Sequence, residues 1–285
     1  MGTEVSPLSE VHPSAVLGKD VKIGPFCVVG PEVQIGDNTE LRSHVVLCGQ
    51  TSLGKDNLLH PGTILGGEPQ DVSYQESNTQ VVIGDRNIFR EGVTVNRGAE
   101  KEDGVTQIGN GNMFMANSHV AHNCRIYDNT ILVNGVLLGG HVHVHDRAIV
   151  SGNTVVHHFS TIGRLAFVSG GCRVPHDIPP FTLAAGSDNQ TLKTINNVGM
   201  RRAGISDHAI QVVREAFRML YRKRRPLAEV QQHFAEKLEG IIPMELSQLL
   251  QFIERQRAGK LGRAREAVRN QPTPSEQTLP GKEAA

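Results

Sequence analysis

The sequence has no tryptophan, and aromatic residues make up only 4% of it. A globular core of this length normally leans on large rings, so something other than aromatic packing must hold the chain together. Cysteine is sparse: Cys27, Cys48, Cys124 and Cys172 form no CxxC pair and follow no metal-ligand spacing, and are read as reduced thiols. Charge of one sign is missing as well. The 29 Lys and Arg residues balance 29 Asp and Glu, so the chain as a whole carries no electrostatic signature for nucleic acid or an anionic membrane. No apolar run approaches the roughly 18 residues of a membrane-spanning helix. The N-terminus has no charged segment followed by an apolar core, so the expected location is cytoplasmic, with no stable membrane insertion.

What the chain has in abundance is glycine, 30 residues of it, and a repeat. From Val11 an aliphatic residue recurs every sixth position through Leu17, Ile23, Val29, Ile35, Leu41, Leu47, Leu53, Leu59 and Leu65. The stretch Gly67 to Gln80 breaks the series, which returns at Ile83, Phe89 and Val95. A second break, Gly98 to Val105, shifts the phase by one residue. The marks then run from Ile108 through Phe114, Val120, Ile126, Leu132, Leu138, Val144, Val150, Val156, Ile162 and Val168 to Val174, 25 in all. Small or β-branched residues stand two places before most marks, among them Ala15, Cys27, Thr39, Thr63, Ser118, Thr154 and Ala166. Both positions therefore face inward, and three hexads close a triangular coil that stacks on its neighbours at about 4.8 Å. Roughly eight coils give a prism on the order of 40 Å tall. Glycine after a mark, as at Gly18, Gly36 and Gly163, suits a turn that a side chain would crowd. In this register Cys27, Cys124 and Cys172 are core packing.

After Pro179 and Pro180 the hexads stop, and Ser206 can cap a helix carrying Ile210, Val213, Ala216, Phe217 and Leu220. Further helices are expected at about Leu227 to Glu239 and Met244 to Gly259. The expected organisation is a mainly β chain. A left-handed parallel β-helix over residues 1–187 has loop insertions near 67–80 and 98–105, an α-helical domain spans 188–262, and a disordered tail spans 263–285.

The coil arithmetic also sorts the histidines. Adding one 18-residue coil to His122 gives Gly140, and a second gives His158, so the three form one column, with His119, His141 and His157 beside it. One reading makes a histidine a general base that deprotonates an attacking hydroxyl, with a glycine N–H beneath it to receive an oxyanion. A second is a metal site of the γ-carbonic-anhydrase kind, shared across a trimer interface. The third is a set of structural histidines on a solvated face.

The motifs NSHVAHNC from Asn117, GGHV from Gly139, VVHHF from Val155, DIPPF from Asp177 and NNVGMRRAGI from Asn196 carry a family likeness. In this order, together with VHPSA at Val11, IGPFCVVGP at Ile23, SHVVL at Ser43 and QDVSY at Gln70, they resemble the UDP-N-acetylglucosamine acyltransferases of lipid A synthesis, to about residue 258. The resemblance implies acyl transfer from a 3-hydroxyacyl carrier protein to the glucosamine 3-hydroxyl of UDP-N-acetylglucosamine. It further implies a homotrimer with sites between prisms, and neither metal nor organic cofactor. It makes His122 the base, Gly140 the oxyanion donor, and His119, His141, His157 and His158 the lining of the site. Gln70 and Asp71 would grip the sugar, Gly170 would set acyl length, and Asn196 and Arg202 would lie near the diphosphate. The run YRKRR from Tyr221 offers a docking patch for the acidic carrier protein. The chain departs from the family at Asn123, where the best-known members have Asp beside the base. It departs also at His158 for Gln, Asn96 for His, Val198 for an acidic residue and Ala203 for a second Arg. The alternative within the pathway is the N-acyltransferase, which also has Asn at that place but carries an N-terminal uridine-binding domain, whereas hexads here begin near Val11.

Overall fold

The computed structural model describes residues 2–188, 190–239, 241–262 and 265. Most strands are only two residues long because each hexad spends the rest of its length turning a corner. The second residue of each pair is the aliphatic mark. Leu41, Leu47, Leu59 and Leu65 are at most 1% exposed, and burying such a side chain contributes about 1.5–3 kcal/mol relative to leaving it in water. Repeated at every step, this replaces the missing aromatic core. The strands fall into three parallel sheets, so the chain is the expected left-handed parallel β-helix followed by helices.

The first sheet includes Leu58–Leu59, Met113–Phe114 and Ile131–Leu132; the second, Thr94–Asn96, His119–Val120 and Leu137–Leu138; the third, Gln80–Ile83, Arg125–Ile126 and His143–Val144. His119 pairs with Leu137 and Leu137 with Val155, so the register is one 18-residue coil. Across the first break Gln50 pairs with Gln80, making that coil 30 residues long, and across the second Gln80 pairs with Val105, a coil of 25. Both interruptions are thus insertions at the corner between the second and third sheets, and the prism resumes in register after each. The stack outruns the hexad marks at both ends: Glu4–Val5 precedes the first, and Thr182–Ala185 follows the double proline.

The corners are built differently from the glycine pattern. Asn38, Asn117, Asn123, Asn129, Asn153, His141 and Phe159 hold the left-handed backbone, a conformation that Asn tolerates through local hydrogen bonding. Gly36 is needed for another reason: a Cβ there would lie 2.5 Å from the Gly54 carbonyl of the next coil. Inside, Asn57, Asn87 and Asn112 occupy the slots two before a mark and form a buried ladder, with the Asn87 amide donating to Asn57 Oδ1 at 3.1 Å. Cys27, Cys124 and Cys172 are buried as expected, Cys48 is half-buried, and all four are free thiols.

Thr191–Ile195 folds back antiparallel onto Thr182–Ala185, so a hairpin joins prism to helices. The short α1, Asn197–Arg202, was not foreseen; α2, Asp207–Phe217, starts at Ser206, whose hydroxyl accepts from the Ala209 N–H. It runs into a π-helical turn, Arg218–Arg222, followed by α3, Leu227–Lys237, and α4, Met244–Arg257. These helices form a second core in which Met200, Ile210, Val213, Phe217, Val230 and Leu249 pack on Leu165 and Phe181 of the final coils. Among the described residues no helix is long and apolar enough to cross a membrane. The tail expected over 263–285 lies outside the described residues except for Arg265.

Candidate active site

His122 sits on the edge between the second and third sheets, just after the His119–Val120 strand, and is 9% exposed. Its neighbour Asn123 determines which ring nitrogen carries the proton. The Asn123 amide donates to the carbonyl oxygens of Ala99 at 3.1 Å and Lys101 at 2.7 Å, while its Oδ1 accepts from the Ala99 N–H at 2.9 Å. Those partners fix the amide's orientation, so the 2.8 Å contact of Oδ1 with His122 Nδ1 has Nδ1–H as donor. Nε2 is left with its lone pair. Burial pushes the imidazole below its ordinary range, outweighing the Asn123 hydrogen bond that favours protonation. A neutral, oriented imidazole is the form a general base needs.

The same geometry explains why this chain has Asn where an Asp might stand. A carboxylate at 123 would face two carbonyl oxygens of the second insertion with nothing to donate. Asn123→Asp is therefore expected to cost about 2–4 kcal/mol of stability at neutral pH. Its carboxyl pKa would be raised by the fold, so the deficit should shrink as pH falls and grow as pH rises past the ordinary carboxylate range. Urea unfolding at two pH values checks this, and an equally stable variant would overturn the assigned amide orientation.

Gly140 stacks on His122 one coil along. A Cβ built on it would lie 2.7 Å from His122 Cε1 and Nε2, and among the described residues the Gly140 N–H has no acceptor. Its carbonyl accepts from the Phe159 N–H, and the His141 N–H donates to the His122 carbonyl at 3.0 Å, so the coils around it are pinned. His141, 2% exposed, stacks on Phe159 with centroids 4.3 Å apart and meets His122 edge-on at 5.2 Å. His119 shares a hydrogen with Thr94 Oγ1 at 2.8 Å and is likewise held below its usual range by burial. His157 contacts the His158 carbonyl at 3.1 Å and their rings lie 3.8 Å apart, closing the column on its far side.

The insertions hang over this edge. Asp71 accepts from the Ser73 N–H and hydroxyl at 2.9 and 2.7 Å and pairs with Lys101 Nζ at 2.9 Å. Burial opposes its ionisation, yet these donors hold the carboxyl well below the usual range. Gln70 is exposed beside it. Arg97 ties the first insertion down, donating to the Gly66 carbonyl and the Tyr74 hydroxyl, each at 3.1 Å. Lys101, Glu102, Arg97 and Phe159 were not singled out from the sequence. The signal for Lys101 and Glu102 was the break itself, but spacing cannot say where an insertion's side chains reach.

Three expected residues lie elsewhere. Gly170 is exposed at the corner between the first and second sheets, with Gly152 O 3.2 Å from where its Cβ would be. Asn196 caps α1, accepting from the Gly199 N–H at 3.0 Å and donating to the Leu165 carbonyl at 2.9 Å. Arg202 is exposed on the rim of a cavity of about 390 Å³ against the first sheet, lined by Ile131, Ile149, Phe167, Leu183, Asn196 and Val198. That sheet is the prism face opposite the His122 edge, so one chain does not bring the two sets together. Of the run Tyr221–Arg225, all four cations are exposed; Arg222 also reaches the Lys193 carbonyl and Arg225 pairs with Glu229 at 3.3 Å.

Residues 177–261 match the family described as UDP N-acetylglucosamine O-acyltransferase, domain 2, and residues 14–49 and 106–140 match the bacterial transferase hexapeptide repeat. Over 218 residues the sequence is 44% identical to an acyl-[acyl-carrier-protein]–UDP-N-acetylglucosamine O-acyltransferase of Sinorhizobium fredii, covering 76% of this chain and 80% of that protein. The fold superposes on the UDP-N-acetylglucosamine acyltransferase of Francisella novicida with a TM-score of 0.83 and 38% identity, covering 88% of this chain and 91% of the other. The enzyme of that name from Arabidopsis gives 0.75 and 30%, covering 87% and 94%.

Proposed function

The chain belongs to the family of acyl-[acyl-carrier-protein]–UDP-N-acetylglucosamine O-acyltransferases, and from that premise we propose that it runs the first acylation of lipid A synthesis with His122 as its base. It is an acyltransferase, and the names of its relatives favour that activity over the N-acyltransferase and carbonic-anhydrase alternatives. One observation supports the assignment of the base above the others: an imidazole protonated on Nδ1 by geometry, its ring packed over Gly140.

In the reaction His122 Nε2 takes the proton from the glucosamine 3-hydroxyl as that oxygen attacks the thioester carbonyl of 3-hydroxyacyl carrier protein. The carbonyl becomes an oxyanion, which the unengaged Gly140 N–H receives. Collapse of the tetrahedral intermediate breaks the carbon–sulfur bond, and the His122 imidazolium returns its proton to the departing thiolate. Asp71 and Gln70 hold the sugar from the first insertion, and His119, His141, His157 and His158 line its path. Gly170 leaves room for the acyl chain at the neighbouring corner. Asn196 presents the start of α1 and Arg202 its guanidinium to the diphosphate.

Because the Arg202 face and the His122 edge lie on opposite sides of one prism, this reading requires two copies to complete each site, as in a homotrimer. The exposed cations of the Tyr221–Arg225 run steer the acidic carrier protein, and the protein works in the cytoplasm. Incubating the purified protein with UDP-N-acetylglucosamine and a panel of 3-hydroxyacyl carrier proteins should yield the 3-O-acyl sugar nucleotide. Failure with every donor, or product only with a 3-amino sugar, would overturn the reading.

The protonation state of the base gives a pH signature. Because burial lowers the His122 pKa, the acid limb of kcat/KM should fall off with an apparent pKa below the ordinary histidine value of about 6.5. A limb above that value would mean that the titrating group is not a buried, neutral His122.

A further inference from the structure

The second insertion places one more carboxylate at the site. Glu102 adopts a left-handed φ of 65°, a conformation that Glu, unlike Gly or Asn, seldom takes and that draws attention to what its side chain does. Its Oε2 lies 3.0 Å from His141 Nδ1, and its Oε1 lies 3.6 Å from Arg265 Nη1. Burial works against ionisation of Glu102, but the His141 hydrogen bond and the nearby charges win, holding the carboxyl below its usual range. An ionised carboxylate can only accept, so His141 must carry its proton on Nδ1. The ring is packed between Phe159 and the His122 edge, and turning it over would carry Nδ1 away from Glu102, so the hydrogen bond holds the observed orientation. His141 Nε2 is buried and has no hydrogen-bond partner among the described residues. A buried acceptor held beside the base with nothing to satisfy it is a place waiting for a donor.

We propose that Glu102 is a positioning residue for acyl transfer: it locks His141 as the Nδ1–H tautomer, so that Nε2 accepts a hydrogen bond from an O–H or N–H of the acceptor substrate. The proposal rests on the reading of His122 as base and adds to it a residue outside the hexad pattern. Asn123 sets the tautomer of His122, and Glu102 sets that of its neighbour. Both depend on the 98–105 insertion, through its carbonyls in one case and its carboxylate in the other.

The test combines spectroscopy on the full chain with kinetics. In ¹⁵N-histidine-labelled protein, with the signal assigned by its loss in His141→Gln, His141 should be protonated at Nδ1 and bare at Nε2 in the absence of substrate. Glu102→Ala should let the Nε2–H form appear and raise KM for UDP-N-acetylglucosamine about 10-fold, with kcat changed less than about 3-fold, the size of one lost hydrogen bond. Glu102→Gln keeps an acceptor oxygen without the charge, and should retain the tautomer and stay within about 3-fold of the parent KM. A parent His141 protonated at Nε2, or a Glu102→Ala protein with unchanged tautomer or unchanged KM, overturns the proposal. Neither result touches the assignment of the base, which stands or falls on His122→Ala.

Discussion

His122→Ala is expected to lower kcat for acyl transfer by about 10³-fold or more while leaving the prism folded, which matches the upper range of what a positioned general base contributes. The size of the loss follows from the lack of a substitute. His119, His157 and His141 are each tied through Nδ1, to Thr94, the His158 carbonyl and Glu102, so none can swing into the place over Gly140 that His122 vacates. A water in the vacated space would be a far weaker base, and it would lack the orientation that Asn123 gives the ring. Stability should change little by comparison. His122 is held by a single side-chain hydrogen bond, and the Asn123 amide keeps its bonds to Ala99 and Lys101 when the ring is gone. Steady-state kinetics with thermal unfolding separates the two effects, and residual transfer within about 10-fold of the parent would remove His122 from the role.

Most of the fold was legible because the hexad mark is both a packing rule and a metric. Leu59 pairs with Phe89 and Phe89 with Phe114, so even the interrupted coils keep their marks in register. The same metric brought His122 and Gly140 together before any coordinate did. The rule for the slot two before a mark was too narrow. Asn57, Asn87 and Asn112 are large and polar: the first two satisfy each other and the carbonyls of Gly84 and Gly109, while Asn112 Oδ1 accepts from the Thr130 N–H and hydroxyl and its amide nitrogen has no partner among the described residues. Glycine after a mark does relieve crowding, against the next coil, but it does not make the corner; the left-handed corners fall to residues such as Asn38, Asn117 and Phe159, which the pattern did not pick out. Lys101 and Glu102 were invisible because an insertion has no period. Asn196 shows a different limit: the motif match gave its neighbourhood but not its local work, which is capping α1 and holding the Leu165 carbonyl.

Gly140→Ala should be nearly as damaging to catalysis as loss of the base, with kcat/KM falling about 10²-fold or more. The three atoms nearest a Cβ at this position, at 2.7, 2.7 and 3.3 Å, all belong to the His122 ring and none to the backbone. What must yield is therefore the imidazole. It can move only by turning away from Asn123 Oδ1, which gives up the hydrogen bond that keeps the proton off Nε2. The coil itself has no reason to open, since the flanking bonds from Gly139 to the Val156 carbonyl and from His141 to the His122 carbonyl are untouched. Stability should thus drop by no more than the about 1–3 kcal/mol typical of an overpacked site. The contrast is with Gly36, where an added Cβ would strike the Gly54 carbonyl and the fold would take the strain. A Gly140→Ala protein that stays folded, its unfolding midpoint only modestly lowered, but loses activity is the expected outcome. Activity within about 10-fold of the parent would mean that the base tolerates displacement, and that its close packing on Gly140 is not what orients it.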